Sequence, residues 1–167
     1  DSLHKKGYDT TIRTSAAFST LGWFDDPLLS HLLRFDKIAL TEVVFHELFH
    51  NTLYIKGAGA FNESAANFVG HRAAIDFFRQ RFGEASAEHR RAVQLWEEEL
   101  EFADFIEELI VNLSGLYRRS IATEDKLRLR EEVFARSKSE WARRIAARPS
   151  HRFRAFPHQP LNNAVLM

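Results

Sequence analysis

The sequence predicts a mainly α-helical domain with a short β element near its N-terminus. Apolar residues recur at helical spacing over most of the chain and alternate with polar residues only near its start. The composition, 45% hydrophobic and 28% charged, is typical of a globular protein. The length of 167 residues suits a single domain over residues 1–167. Since the chain opens with Asp1 rather than Met, we expect a processed or excised piece of a longer protein.

Capping residues and chain breakers divide the chain into successive elements. Alternation of Ile12, Ala16 and Phe18 with polar residues predicts the β element. Side chains that can accept from free N–H groups precede the longer helices, and Gly or Pro follows most of them. The predicted elements are, in order, a strand within Thr10–Thr20, a short helix from Pro27 to about Arg34, and helices from Asp36 to about Tyr54, from near Asn62 to Gly83, from Ser86 to about Tyr117 and from Thr123 to before Pro149.

Composition and charge exclude several classes of function. Lys and Arg total 23, as do Asp and Glu, so the basic excess of a typical nucleic-acid-binding protein is missing. No run approaches 18 apolar residues, so the sequence predicts no transmembrane span. The chain has no Cys, which excludes disulfides, thiolate chemistry and zinc sites built on Cys.

The most informative motif is His46-Glu47-x-x-His50, which falls inside the first long predicted helix. Residues four apart lie one turn apart on the same helix face, so His46 and His50 can both reach one Zn²⁺ ion. Glu47 can project toward a metal-bound water and take its proton. Its flanks are apolar, and a buried Glu costs free energy unless it has a partner, which a metal site would supply. The motif therefore predicts a zinc site, with a surface His/Glu/His pattern as the alternative.

A catalytic zinc site needs a third protein ligand, and Glu63 is the candidate. The pattern HExxHxxGxxH fails, because Leu53 and Lys56 stand at its last two defined positions. Glu63 opens the next predicted helix after a short Gly-containing turn, and an antiparallel return would bring that helix back alongside the end of the first. The alternative is that Glu63 is only an acid favoured in the first turn of a helix.

Two further polar residues follow on the same face of the glutamate-bearing helix. Asn67 lies one turn after Glu63 and could orient a ligand imidazole, or it could be an ordinary polar surface residue. His71 lies two turns after Glu63 and could line the cleft, although a solvent-exposed or core His is the expected alternative.

Several separated motifs occur in one order along the chain: residues 17–29, 45–50, 53–57, 61–64 and 161–164. Together they resemble the bacterial predicted aminopeptidase family, a gluzincin type of zinc metallopeptidase with HExxH on one helix and a glutamate on the next. The resemblance implies a zincin-like domain with an active-site helix, an antiparallel glutamate-bearing helix and two further long helices. It implies that His46, His50 and Glu63 bind zinc and that Glu47 is the general base and acid.

The resemblance also implies where a substrate binds and where the protein resides. The strand before Trp23 would border the cleft, where an extended peptide can add to its edge. Members tend to carry a lipoprotein-like export signal, which implies a periplasmic or membrane-anchored location. The chain departs from the family pattern at Phe49, where a small residue is expected, at Asn51, where Gln is expected, and near Gly70, where an acid is expected.

The sequence thus predicts zinc-dependent hydrolysis of peptide bonds, of the aminopeptidase type, acting on a peptide or small protein. Tyr54, His71 and Tyr8 are candidates for a donor to the oxyanion. Asp25 is a candidate for binding the substrate amine, although it and Asp26 could serve only the turn. Two other functions remain open: a catalytically silent helical binding module that keeps a structural metal site, and a zinc hydrolase of non-peptide substrates.

Overall fold

The computed structural model describes residues 2–11 and 35–166. Within them, four α-helices follow one another, and short 3₁₀ turns lie at both ends. The elements are a 3₁₀ turn His4–Lys6, α1 Lys37–Thr52, α2 Gly59–Phe82, α3 Ala87–Tyr117, α4 Thr123–Arg144, and the 3₁₀ turns Phe156–His158 and Asn163–Val165. The prediction of a mainly α fold with two long helices after the hairpin of α1 and α2 is confirmed.

The prediction of a short β element near the N-terminus is wrong: the described residues contain no strand. Thr10 and Thr11, the described start of the predicted strand, are irregular. Side-chain contacts, rather than a strand ladder, hold this stretch: the Thr10 carbonyl accepts from Asn162 Nδ2 at 2.9 Å, and Asp9 pairs with Arg130 at 3.0 Å. The remainder of the segment to Thr20, and the short helix predicted from Pro27, lie outside the described residues.

Side-chain capping explains the starts of α1 and α3. The Asp36 carboxylate accepts from the backbone N–H groups of Ile38 and Ala39 at 2.9 Å each, as predicted for the start of α1. Ser86 Oγ accepts from the His89 N–H at 3.1 Å, again as predicted. The predicted Thr123 cap is wrong, because Thr123 is already helical and Ala122, which makes no side-chain bond, is the N-cap.

The chain divides into two compact units, with the boundary inside α3 between Trp96 and Glu97. One unit comprises Asp1–Ile12 and Glu97–Met167, and its core is aromatic. The other, Arg13–Trp96, contains the α1–α2 hairpin. Its buried core is formed by Ile38, Ile75, Phe78, Ala92 and Leu95. The prediction of one domain over residues 1–167 stays a prediction.

Among the described residues, none of the helices combines the length and apolar character needed to cross a bilayer.

Candidate metal centre

Helices α1 and α2 form an antiparallel hairpin that carries every described residue of the predicted metal site. Polar side chains one turn apart on α1 face polar side chains one turn apart on α2, and the order along one helix is the reverse of the order along the other. The facing pairs are Glu42 with His71, His46 with Asn67, and His50 with Glu63.

The connection between the two helices is held by Asn62, whose side chain is almost fully buried. Asn62 Oδ1 accepts from the Ile55 N–H at 3.0 Å, and its Nδ2 donates to the Ile55 carbonyl at 2.8 Å. Gly57, at φ 81°, supplies the left-handed turn between these points. Helix α2 begins at Gly59, earlier than predicted, so Glu63 lies past the first turn and the first-turn interpretation of this acid does not apply.

The hairpin brings His46, His50 and Glu63 together. The Nε2 atoms of the two imidazoles are 3.1 Å apart, and each is 3.5 Å from a different oxygen of the Glu63 carboxylate. In a tetrahedral zinc site with bonds of 2.0–2.1 Å, neighbouring ligand atoms are about 3.3–3.4 Å apart. The three side chains therefore fit one zinc ion, and their role as its ligands stays a prediction.

Burial differs sharply within this triad of His46, His50 and Glu63. The His50 side chain is 8% exposed and that of His46 is 18% exposed, whereas the Glu63 side chain is 64% exposed. The two imidazoles thus lie deeper in the hairpin than the Glu63 carboxylate, which is exposed to solvent. A catalytic zinc site keeps one coordination position open, whereas a structural site is closed, and the exposed Glu63 carboxylate is compatible with the first of these.

Asn67 contacts the His46 ring at Nδ1, the nitrogen that faces away from the triad. Its Oδ1 lies 3.0 Å from His46 Nδ1, and an amide oxygen can only accept, so the His46 Nδ1–H donates. This hydrogen bond fixes the tautomer and leaves the lone pair of Nε2 directed at the triad. Asn67 is therefore placed to orient the ring, and its effect on metal binding stays a prediction.

His71 lies in the core of its unit. Its side chain is 7% exposed, its Nδ1 lies 3.0 Å from Glu42 Oε1, and its ring centroid is 5.1 Å from that of Trp96. This position matches the core-histidine alternative and gives no support to a role at the substrate. Sequence reasoning missed Glu42, although a carboxylate one turn before His46 in an apolar stretch was a signal that it needs a buried partner.

Gly70 explains one departure from the family pattern. A Cβ at this position would lie 2.8 Å from the Glu42 carbonyl oxygen and 3.3 Å from His46 Cβ, so the helix backbones are in close contact. No side chain, acidic or otherwise, fits at Gly70 without moving α1.

The remaining candidates are Glu47, Tyr54, Tyr8 and Asp25, of which the structure describes the first three. Glu47 follows His46 in α1, is half-buried, and has no polar partner among the described residues. Tyr54 and Tyr8 are exposed, at 53% and 61%, and neither makes a polar side-chain contact with a described residue. Asp25 and the predicted cleft-bordering strand before Trp23 lie outside the described residues.

Comparisons with known proteins bear on the family. The model of the family described as "Putative aminopeptidase" matches residues 1–167. No curated protein and no solved structure matches the chain significantly. An aminopeptidase is a hydrolase of peptides, so the family name agrees with the class of chemistry predicted from His46, Glu47 and His50. Because the match covers the whole of the sequence, the chain belongs to the "Putative aminopeptidase" family.

Proposed function

We propose that the chain is a zinc-dependent metallopeptidase of the gluzincin type, acting as an aminopeptidase on peptides or small proteins. The observation that carries this proposal is the convergence of His46 Nε2, His50 Nε2 and the Glu63 carboxylate within 4.8 Å of one another. Two imidazoles and one carboxylate form a ligand set used by catalytic zinc sites. Magnesium and calcium prefer sites built from oxygen atoms alone, so the two nitrogen atoms favour zinc.

The proposed mechanism assigns Glu47 to proton transfer. A bound zinc ion supplies Lewis-acid polarisation of a carbonyl and lowers the pKa of water toward about 7. Glu47 takes a proton from the attacking water as its oxygen bonds to the carbonyl carbon. It then delivers that proton to the amine nitrogen as the C–N bond breaks. A half-buried carboxylate that pairs with no described residue is suited to this exchange.

Preference for a free N-terminus is the finer part of the proposal and rests on the family name. Asp25 is the proposed partner of the substrate amine, and Tyr54 is the proposed donor to the oxyanion. We also propose a periplasmic or membrane-anchored location, on the strength of the resemblance to the family.

The test separates metal binding from turnover. We expect about one zinc per chain in the wild-type protein, with less in His46→Ala and in Glu63→Gln. Glu47→Gln should retain zinc and lose about 10²–10⁴-fold in peptide hydrolysis, because only proton transfer is removed. Glu107→Gln is the matched control, since Glu107 is exposed on α3 and pairs with no described residue. It should keep both zinc and activity.

Three other outcomes would redirect the proposal. Zinc retained by every variant with no turnover of peptides or esters would favour a catalytically silent binding module. Turnover of esters but not peptides, sensitive to Glu47→Gln, would favour a hydrolase of non-peptide substrates. Absence of zinc after reconstitution would overturn the metallopeptidase assignment.

A further inference from the structure

The contact between Glu42 on α1 and His71 on α2 has no role in the proposed chemistry. Glu42 and His71 have side chains 6% and 7% exposed, and their Oε1 and Nδ1 atoms are 3.0 Å apart. Burying two ionisable groups costs several kcal/mol, and apolar residues of similar volume often stabilise a protein equally well or better. Stability alone therefore gives no reason for this pair.

The positions flanking the pair show what it can specify. On α1, the residue one turn before Glu42 is Ile38, and on α2, the residue one turn after His71 is Ile75; both are buried in the apolar core of this unit. A slip of α1 along α2 by one turn would place Glu42 opposite Ile75 or opposite Asn67. In the first arrangement Glu42 faces Ile75, and in the second His71 faces Ile38. Each slip therefore places a buried ionisable group opposite an apolar side chain, which costs free energy.

The same register determines the metal site. Glu42, His46 and His50 succeed one another at one-turn spacing on α1, and Glu63 reaches both imidazoles from α2 only in the observed alignment. We propose that Glu42 and His71 are positioning residues that fix the register of α1 against α2 and thereby hold Glu63 at the two histidines. A buried polar pair that specifies register is a well-attested use of such groups. The inference rests on the metal site of the proposed function.

The test is a double-mutant cycle on zinc affinity in the full chain, measured by competition with a chromophoric chelator. The four proteins are the wild type, Glu63→Gln, Glu42→Leu/His71→Leu, and the combination of all three changes. In the wild-type background, we expect Glu63→Gln to weaken zinc binding more than about tenfold, because even outer-sphere partners contribute that much. In the Leu/Leu background, zinc binding should already be about tenfold weaker, and Glu63→Gln should add less than about threefold.

Two controls separate positioning from folding. Circular dichroism must show that the Leu/Leu protein remains helical; if it unfolds, the cycle is repeated with His71→Asn, which retains a polar group but shortens its reach. Glu42→Gln should keep zinc affinity near the wild-type value, because the amide can still pair with His71. A purely structural role predicts changed thermal stability with unchanged zinc affinity in the folded protein.

The outcomes of the cycle distinguish the positioning role of Glu42 and His71 from the proposed zinc site itself. An equal loss on Glu63→Gln in both backgrounds would overturn the positioning role and leave the zinc site intact. A wild-type chain that binds no zinc would overturn the proposed function, and the inference with it. A wild-type chain that binds zinc but is indifferent to Glu63→Gln would overturn the role of Glu63 as third ligand and therefore that of the pair.

Discussion

Gly70→Ala tests the close approach of α1 and α2 on which the proposed metal site depends. The added Cβ would lie 2.8 Å from the Glu42 carbonyl oxygen and 3.3 Å from the Cβ and N of His46. Ordinary contacts to carbon are longer, so the helices must separate by about 0.5 Å. Such overpacking costs about 1–3 kcal/mol, whereas the higher helix propensity of Ala returns about 1 kcal/mol. We expect a net loss of about 1 kcal/mol in the free energy of unfolding.

Gly115→Ala is the matched control, because Gly115 is also helical but a Cβ there meets nothing within 4 Å. Only the propensity gain applies, so the control should gain about 0.5–1 kcal/mol. For a chain of this length, 1 kcal/mol corresponds to about 2–4 °C in Tm. Calorimetry should therefore show Tm falling for Gly70→Ala and rising for Gly115→Ala. A rise of similar size in both proteins would refute the close approach at Gly70.

Three further changes test individual contacts. Asn67→Leu removes the acceptor of the His46 Nδ1–H and should weaken zinc binding about 10–100-fold in chelator competition. Asn67→Asp keeps an acceptor oxygen and should retain the zinc affinity. An affinity within twofold of wild type for Asn67→Leu would contradict the orienting role. Asp36→Ala leaves the first N–H groups of α1 without their acceptor and should lower the free energy of unfolding in urea by about 1 kcal/mol. Asp36→Asn keeps an acceptor oxygen and should have nearly the wild-type stability. Equal stability of all three proteins would show that the cap contributes nothing. Arg148 donates two hydrogen bonds to the Glu101 carboxylate and lowers the pKa of that group below its ordinary 4.5. The pair therefore stabilises the fold above about pH 4.5, and this stabilisation is lost as the pH falls through the lowered pKa. Arg148→Met should therefore cost up to about 1 kcal/mol at pH 7 and progressively less below pH 4, and a loss that does not change with pH would count against the ion pair.

The four long helices could be predicted because their signals are local. Asp36 and Ser86 begin helices through hydrogen bonds to residues two or three positions later, and Gly83 ends one through its own backbone conformation. The two wrong predictions, the Thr123 cap and the N-terminal strand, rest on local signals that do not report the surrounding structure. Thr123 has the chemistry of a cap, but the helix already includes it. The alternation around Thr10 suits a strand only if another strand pairs with it, and no periodicity within the segment reports such a partner.

The candidate metal site also combines local features, which the sequence predicts, with long-range contacts, which it does not. The spacing of His46 and His50 by itself places two imidazoles one turn apart, because helix geometry is fixed by the backbone. Glu63 was the expected third member, but its approach to both rings depends on the turn at Gly57, the hydrogen bonds of Asn62 and the bare backbone at Gly70.

The sequence by itself determined the helical class, the starts of two long helices and the identity of a candidate zinc motif. Only the tertiary structure decided that Glu42 lies against His71, that Asn67 Oδ1 contacts His46 Nδ1, and that no side chain fits at Gly70 without moving α1. The physical reason is the range of the interactions. Helix hydrogen bonds and caps join near neighbours in the chain, whereas the contacts between α1 and α2 join residues far apart in sequence. Their partners are set by the length and conformation of the connection and by the alignment in which both helices bury their side chains.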